Sequence, residues 1–377
     1  MRERVLGREA TISSRARTVL ATIRRHGSVS RSVLIRETGL SGTAVFRATE
    51  ELEAAGLARA GEAVAVGRGQ PSNIIHIVPD AAFALGLSVM TDRADVVLLD
   101  LAGRVRARAE VTMPGMPRVA MLDAAFAFGN ARLADMGIDR RRLHGLGVAV
   151  AGYFVAPGTV NPAVELEEWA VDALDEEIAR HVGMPVVVEN IAAAAALGER
   201  LLGVGSRYDS FCYINVAAGF GAGIISGGML MRGRHGNAGE IGGLFLSSGR
   251  VTPNLMTLHD CLAEHGVECS GVSDMIARFD PEWPGVNEWL DRHRASFSYI
   301  VGAMRFTLDC EAVILGGRLP RALARRIIDE IDWPENHWPV RRERRAPATL
   351  TDVAGLEPEL SGPLGAASLV FHRTLFD

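Results

Sequence analysis

The chain has no lysine. All 40 of its basic residues are arginine, set against 45 acidic ones, for a net charge of −5. Cysteine is scarce: Cys212, Cys261, Cys269 and Cys310 are widely spaced and form no disulfide framework. No apolar run approaches the roughly 18–20 residues of a membrane span, and the stretch MRERVLGREATISSRAR lacks the apolar core of a secretory leader. These absences argue against a disulfide-stapled secreted protein and a membrane protein, and imply a cytoplasmic one. The hydrophobic content of 48 % over 377 residues is enough for two or three domains with their own cores.

Charge is spread unevenly. Residues 1–70 hold 12 arginines and 7 glutamates, a net of +5, which leaves −10 on the remainder. A basic segment on an acidic body points to a polyanionic partner for that segment alone, and arginine suits phosphate and guanine contacts. The segment's pattern is helical. In SSRARTVLATIRRHG, Ala16, Val19, Leu20 and Ile23 share one face before a stop at Gly27. Ser30 is placed to cap a short helix through Glu37 with Val33, Leu34 and Ile35 on its apolar side, and Ser41 to cap another running to about Ala55. On that second helix Val45 and Leu52, with Leu57 after it, face inward, whereas Thr43, Ala44, Arg47 and Thr49 face out. Two helices joined by the glycine turn TGLS form a helix-turn-helix, and LARAGEAVAVGRGQPSNIIHIV reads as two strands around a loop carrying Arg68 and Gln70. Thr43 and Arg47 are the expected major-groove readers, Arg68 and Gln70 the wing contacts, and Ser30, Arg31 and Ser41 the phosphate contacts. Small basic three-helix units also serve as protein-interaction modules, which is the alternative for this segment.

From Ala82 the pattern changes. FALGLSVMTDRADVVLLDLAGRVRARAEV has three apolar runs, an antiparallel meander. A helix around Val119–Met136, the buried strand LHGLGVAVAG, the helix VDALDEEIARHVG and the strand-to-helix stretch PVVVENIAAAAALGE follow. The pattern then recurs, as strand, glycine loop and strand in YDSFCYINVAAGFGAGIISGGMLMRG, and as CEAVILGGRLP with its helix RALARRIIDEI. Meander plus alternation, occurring twice, predicts two α/β lobes with a cleft between them.

The order of SRSVLIRETGLSGTAVFRATEELEAAGL, GRGQP, GLGVAVAG, VVVENIAAAAALGE, GFGAGIISGGMLMRGRHGNAGEIGG, AVILGG and GPLGAA resembles the ROK (repressor, open reading frame, kinase) family in its transcription-regulator form. The resemblance implies an α/β protein: a winged helix-turn-helix over 1–78, then a two-lobed body of the actin/hexokinase, ribonuclease H-like sugar-kinase type over 79–377. It also implies a homodimer, joined through the bodies and bound to operator DNA.

The same resemblance shows what is missing for sugar phosphorylation. The family motif is similar to Glu-Asn-Asp-Ala-Asn, with its aspartate as the base; here that position is Ile191, and the second asparagine is Ala193. A general base contributes about 10²- to 10⁴-fold, and isoleucine supplies none of it. The first phosphate loop is reduced to a lone Asp92. The second survives as AAGFGAG, with Ala218 in its usual threonine position; Gly219, Gly221 and Gly223 can equally serve a tight turn and close strand packing. Of the family's four structural zinc ligands only Cys261 matches, since Gly243, Asn254 and Met256 occupy the others. A substitute set of His259, Cys261, His265 and Cys269 is disfavoured by its spacing. No catalytic residue, metal or cofactor is therefore expected. Glu189, Asn190 and Glu240 are the expected contacts of a small effector, carbohydrate-derived by resemblance alone. Two other roles are open for the pair: Asn190 as a helix cap, and Glu240 as a partner of Arg232 or Arg234. The alternatives for the whole chain are a sugar kinase whose base is displaced to Asp92 or Glu189, and a dimeric DNA-binding protein without an effector.

Overall fold

The computed structural model describes residues 12–64, 72–331 and 349–376. It opens with helix α1 (Ser14–His26), which begins where the Ser13 hydroxyl accepts from the Ala16 amide and ends at Gly27. Strand β1 (Ser28–Ser30), helices α2 (Arg31–Thr38) and α3 (Gly42–Ala54), and strands β2 (Ala58–Val64) and β3 (Ser72–Ile77) complete the first unit. Its sheet runs β1-β3-β2 and is antiparallel. Ser30 and Ser41 are the caps of α2 and α3, accepting from the Val33 and Ala44 amides. Ala16, Val19, Leu20, Ile23, Leu34, Val45, Leu52 and Leu57 are buried as the periodicity requires. Two expectations fail. Ile35 is exposed, and Thr49 is fully buried, made tolerable there by a hydroxyl that donates to the Phe46 carbonyl at 2.8 Å.

The first lobe of the body contains β4 (Phe83–Val89), β5 (Ala94–Asp100), β6 (Val105–Glu110), α4 (Arg118–Asp135), β7 (Leu143–Val150), the hairpin β8 (Gly152–Ala156) and β9 (Thr159–Pro162), α5 (Leu174–Val182) and β10 (Val186–Asn190). Its sheet order is β10-β7-β4-β5-β6, with β4, β7 and β10 parallel and the meander antiparallel. The alanine helix α6 (Ile191–Leu202) follows β10 without a loop.

The second lobe has β11 (Phe211–Val216), β12 (Phe220–Ser226), β13 (Met229–Leu230), helices α7 (Gly242–Ser248), α8 (Leu255–Glu264), α9 (Val272–Arg278) and α10 (Val286–Leu308), then β14 (Ala312–Gly317), α11 (Arg321–Glu330) and β15 (Leu350–Val353). The sheet order is β13-β12-β11-β14-β15. Trp289, Phe297, Phe245 and Leu258 fill the core beside it.

Helix α12 (Pro358–Phe371) then crosses α6. The crossing is made at backbone level: a Cβ on Gly365 would overlap the Ala194 carbonyl, and one on Gly198 the Ser361 carbonyl. Alanine and glycine at this contact let the helices approach as side chains would not. The far end of α12 reaches the first unit. Leu364, Ala367, Val370, Phe371 and Leu375 share one core with Ala16, Leu20, Ile23, Ala84 and Leu99, so the hydrophobic interior runs across residue 78. Arg17 donates to the Thr374 carbonyl at 3.3 Å, and the Arg24 guanidinium lies 5.5 and 5.1 Å from the Phe371 and Phe376 rings. Each such cation–π contact adds about 0.5–2 kcal/mol.

Among the described residues no helix is long and apolar enough to cross a membrane.

Candidate DNA-facing helix and lobe cleft

The outer face of α3 exposes Thr43 and Arg47. Between them stands Phe46, 42 % exposed, which the sequence reading did not single out. A large apolar side chain left in water on the second helix of a helix-turn-helix is a signal in itself, because such a ring can meet a thymine methyl. Arg31 does not reach outward freely: its guanidinium stacks on Phe46, 4.9 Å from the ring centre. Ser30 and Ser41 use their hydroxyls as helix caps. Arg68 and Gln70 lie outside the described residues.

The two lobes enclose a cleft of about 320 Å3. Asn190 sits at the carboxyl end of β10, as ligand-binding residues of open sheets do. Of its two expected roles, the helix cap is the one realised. Its side-chain oxygen accepts from the Ala192 and Ala193 amides, capping α6 at 2.8 and 3.2 Å, and its amide nitrogen donates to the Gly152 carbonyl at 2.7 Å and to Glu240 at 3.3 Å. Among the described residues Glu240 has no cationic partner, and burial alone pushes its carboxyl above the ordinary value. Ile191 is the next cleft residue, and Tyr153, Asn161 and Asn215 add polar atoms that the sequence reading passed over. Asn215, near the end of β11, falls under the same strand-end rule that identified Asn190.

Glu189 does not line this cleft. Successive strand residues point to opposite faces, and its carboxylate lies outside the cleft, where it accepts from the Asn190 backbone amide at 3.0 Å and from the half-exposed Arg232 at 2.7 Å. Arg232 therefore pairs with Glu189 and not with Glu240. Burial raises the Glu189 pKa, and Arg232 and the Asn190 amide offset this only in part.

Across the cleft, Asp92 joins the lobes. One carboxylate oxygen accepts from Arg318 at 2.5 Å, the other from the Ser273 hydroxyl at 2.6 Å, and Arg318 also donates to Ser273 at 2.7 Å. Burial pushes the Asp92 carboxyl up, but the Ser273 and Arg318 contacts outweigh it and hold the group below the ordinary aspartate value. Arg318 follows the two glycines that end β14 and is only 5 % exposed. In the β11–β12 turn Gly219 borders open space; in β12 a Cβ on Gly221 would make only ordinary contact with Ala192, while Gly223 packs against α6, where a Cβ would overlap the Ala192 carbonyl. Close packing thus accounts for one of the three glycines.

The cysteine and histidine group engages the main chain: His259 contacts the Cys269 carbonyl, His265 the Cys261 carbonyl, and the Cys261 thiol the Gly285 carbonyl. Among the described residues no three or more acids, histidines or cysteines converge as a metal site.

A family model described as the ROK family matches residues 84–371. The xylose repressor of Bacillus subtilis (strain 168) is 25 % identical over 238 residues, 59 % of this chain and 58 % of the repressor. Among solved structures, a ROK family transcriptional regulator, a homologue of the E. coli MLC protein, superposes with a TM-score of 0.67 at 21 % identity, covering 96 % of both chains. A ROK family glucokinase from Streptomyces griseus, solved with glucose and AMPPNP, superposes with a TM-score of 0.57 at 23 % identity over 76 % of this chain and 99 % of its own.

Proposed function

This chain belongs to the ROK family, and from that premise we propose that it is a DNA-binding transcriptional regulator, a repressor, whose sugar-kinase-like body senses a small effector without phosphorylating it. The observation that carries the reading is the pairing of an exposed α3 face, with Thr43, Phe46 and Arg47, to a cleft in which Ile191 stands at the base position. The xylose repressor supports the regulatory half by its likeness over part of the chain, and the regulator fold covers the first unit as well as the body.

Within this reading the body dimerises, and two copies of α3 meet half-sites about 34 Å apart, or a multiple of that, on roughly palindromic DNA. Thr43 and Arg47 read base edges, Phe46 adds an apolar contact, and Arg68 and Gln70 reach from the wing. The effector lies against Asn190 and Glu240, an amide and a carboxylate able to bind neighbouring hydroxyls, in a cleft made more apolar by Ile191. Glu189 supports this site from behind through Arg232. An effector held by Asn190 acts on the cap of α6, and α6 crosses α12, whose end carries α1. A differential affinity of about 1–3 kcal/mol between two lobe arrangements changes operator binding about 5- to 150-fold.

The kinase alternative keeps the support of the glucokinase fold. Against it, Asp92 is committed to Arg318 and Ser273, and Glu189 faces away from the cleft. The deciding experiment is binding of the purified chain to DNA upstream of its own gene at two salt concentrations, beside Arg47→Ala. Specific binding that weakens with salt and with the substitution supports the regulator. ATP hydrolysis stimulated by a sugar, without specific DNA binding, overturns it.

A further inference from the structure

A second cavity, of about 680 Å3, opens where α1 meets the body and shares no lining residue with the lobe cleft. Its walls come from α1, the β5–β6 turn, the end of α6, the β12–β13 turn and α12. Among the described residues three arginines line it, Arg24, Arg25 (which also pairs with Glu37 at 3.7 Å) and Arg200, against one carboxylate, Asp209. The balance is cationic, and Asp209 is itself well exposed and meets Arg200 only at 3.4 Å.

The hydrogen bonds along this wall are incomplete. Among the described residues Arg24 Nη2, Arg200 Nε and Ser368 Oγ are each buried and have no hydrogen-bond partner, although more than nine in ten buried polar groups in folded proteins find one. Arg200's remaining contacts, to the Ser206 carbonyl and Asp209, are long at 3.5 and 3.4 Å. Gly103 and Gly228, both at positive φ, form the turns that pass these guanidiniums at van der Waals distance. Burial brings the Arg24 pKa down to about 10, with Asp100 countering only part of that. Two under-compensated guanidiniums and a spare hydroxyl, facing one cavity of ligand size, make the donor set that oxyanions recruit.

We propose that this cavity binds a small phosphate-bearing molecule, an ester or free phosphate, whose oxygens accept from Arg24, Arg200 and Ser368. Such a ligand bridges α1 to the body, and so constitutes a second input to the first unit, separate from the lobe cleft. The test is calorimetric titration of the full chain, at constant ionic strength, with inorganic phosphate, a hexose phosphate and the unphosphorylated hexose. Saturable binding of one phosphate-bearing ligand per chain is expected, with no contribution from the bare hexose at this site. Tighter binding of the hexose phosphate than of phosphate identifies an ester; equal binding identifies free phosphate. Arg200→Gln removes a charge-assisted donor and weakens binding about tenfold or more; Ser368→Ala weakens it less and guards against a folding defect in the first variant. Absence of binding at millimolar concentrations, or binding unchanged in both variants with their thermal unfolding intact, overturns the proposal.

Discussion

Asp92 and Arg318 form an ion pair between the lobes whose two halves are unequally buried. Arg318 is 5 % exposed and Asp92 32 %. Removing the acid by Asp92→Asn strands a buried guanidinium that keeps only the Ser273 hydroxyl and a neutral amide. Breaking a buried pair in this way costs about 3–5 kcal/mol. Removing the cation by Arg318→Met leaves an aspartate that still accepts from Ser273 and reaches water, and costs about 1.5–3 kcal/mol, that of a lost charged hydrogen bond. The double variant, with no unpaired charge, should be more stable than Asp92→Asn alone, with a coupling of about 1–3 kcal/mol. Urea unfolding of the wild type, both single variants and the double variant measures all three quantities. Hydrogen exchange should also quicken around residues 90–93 and in α9 when either partner is lost. If Asp92→Asn proves no more costly than Arg318→Met, or the coupling falls below about 0.5 kcal/mol, then the pair is not the lobe latch that its burial implies.

Gly365→Val should destabilise by about 3 kcal/mol or more, since the new side chain overlaps the Ala194 backbone and neither helix can withdraw without uncovering the core; wild-type thermal unfolding would contradict the close crossing. Glu189 binds its proton more tightly folded than unfolded, so its share of stability is greatest below about pH 4.5 and falls as pH climbs from there through the raised folded value. Glu189→Gln should flatten that fall, and an unfolding temperature whose slope between acid and neutral pH is unchanged would refute the assignment. Arg232, 49 % exposed, remains hydrated in that variant. Magnesium-ATP at millimolar concentration should leave the unfolding temperature of the wild type unmoved, because Arg318 already neutralises Asp92 beside the glycine loop; a concentration-dependent rise would reopen the kinase reading.

Much of the fold was legible because its elements are locally coded. Ser30, Ser41 and Asn190 announce helix starts by hydrogen bonds three residues or fewer along the chain, and the meander by the alternation of turn and apolar run. The site was legible only in part. Asn190 and Glu240 do converge, since strand-end position and family motif both mark them. Glu189 was misdirected because strand alternation separates neighbours that look like a pair. The Asp92–Arg318–Ser273 contact joins residues up to 226 positions apart, for which no local pattern exists. Thr49 and Ile35 exchanged their expected places because a helix of eight or thirteen residues, docked on two neighbours, buries a face that single-helix periodicity locates only to within about one residue.

The clamp on α1 has a consequence for synthesis. Arg17 and its acceptor Thr374 are 357 positions apart, so at about 5–20 residues per second the first helix waits roughly 20–70 s for the helix that completes its core. During that interval Ile23 and Leu20 lack Phe371 and Leu375, and α3 stands on an unfinished support. Nascent or truncated chains are thereby denied a finished first unit, and only a completed body presents α3 firmly. Fusing residues 12–77 alone to another protein would export the helices without the interior that holds them.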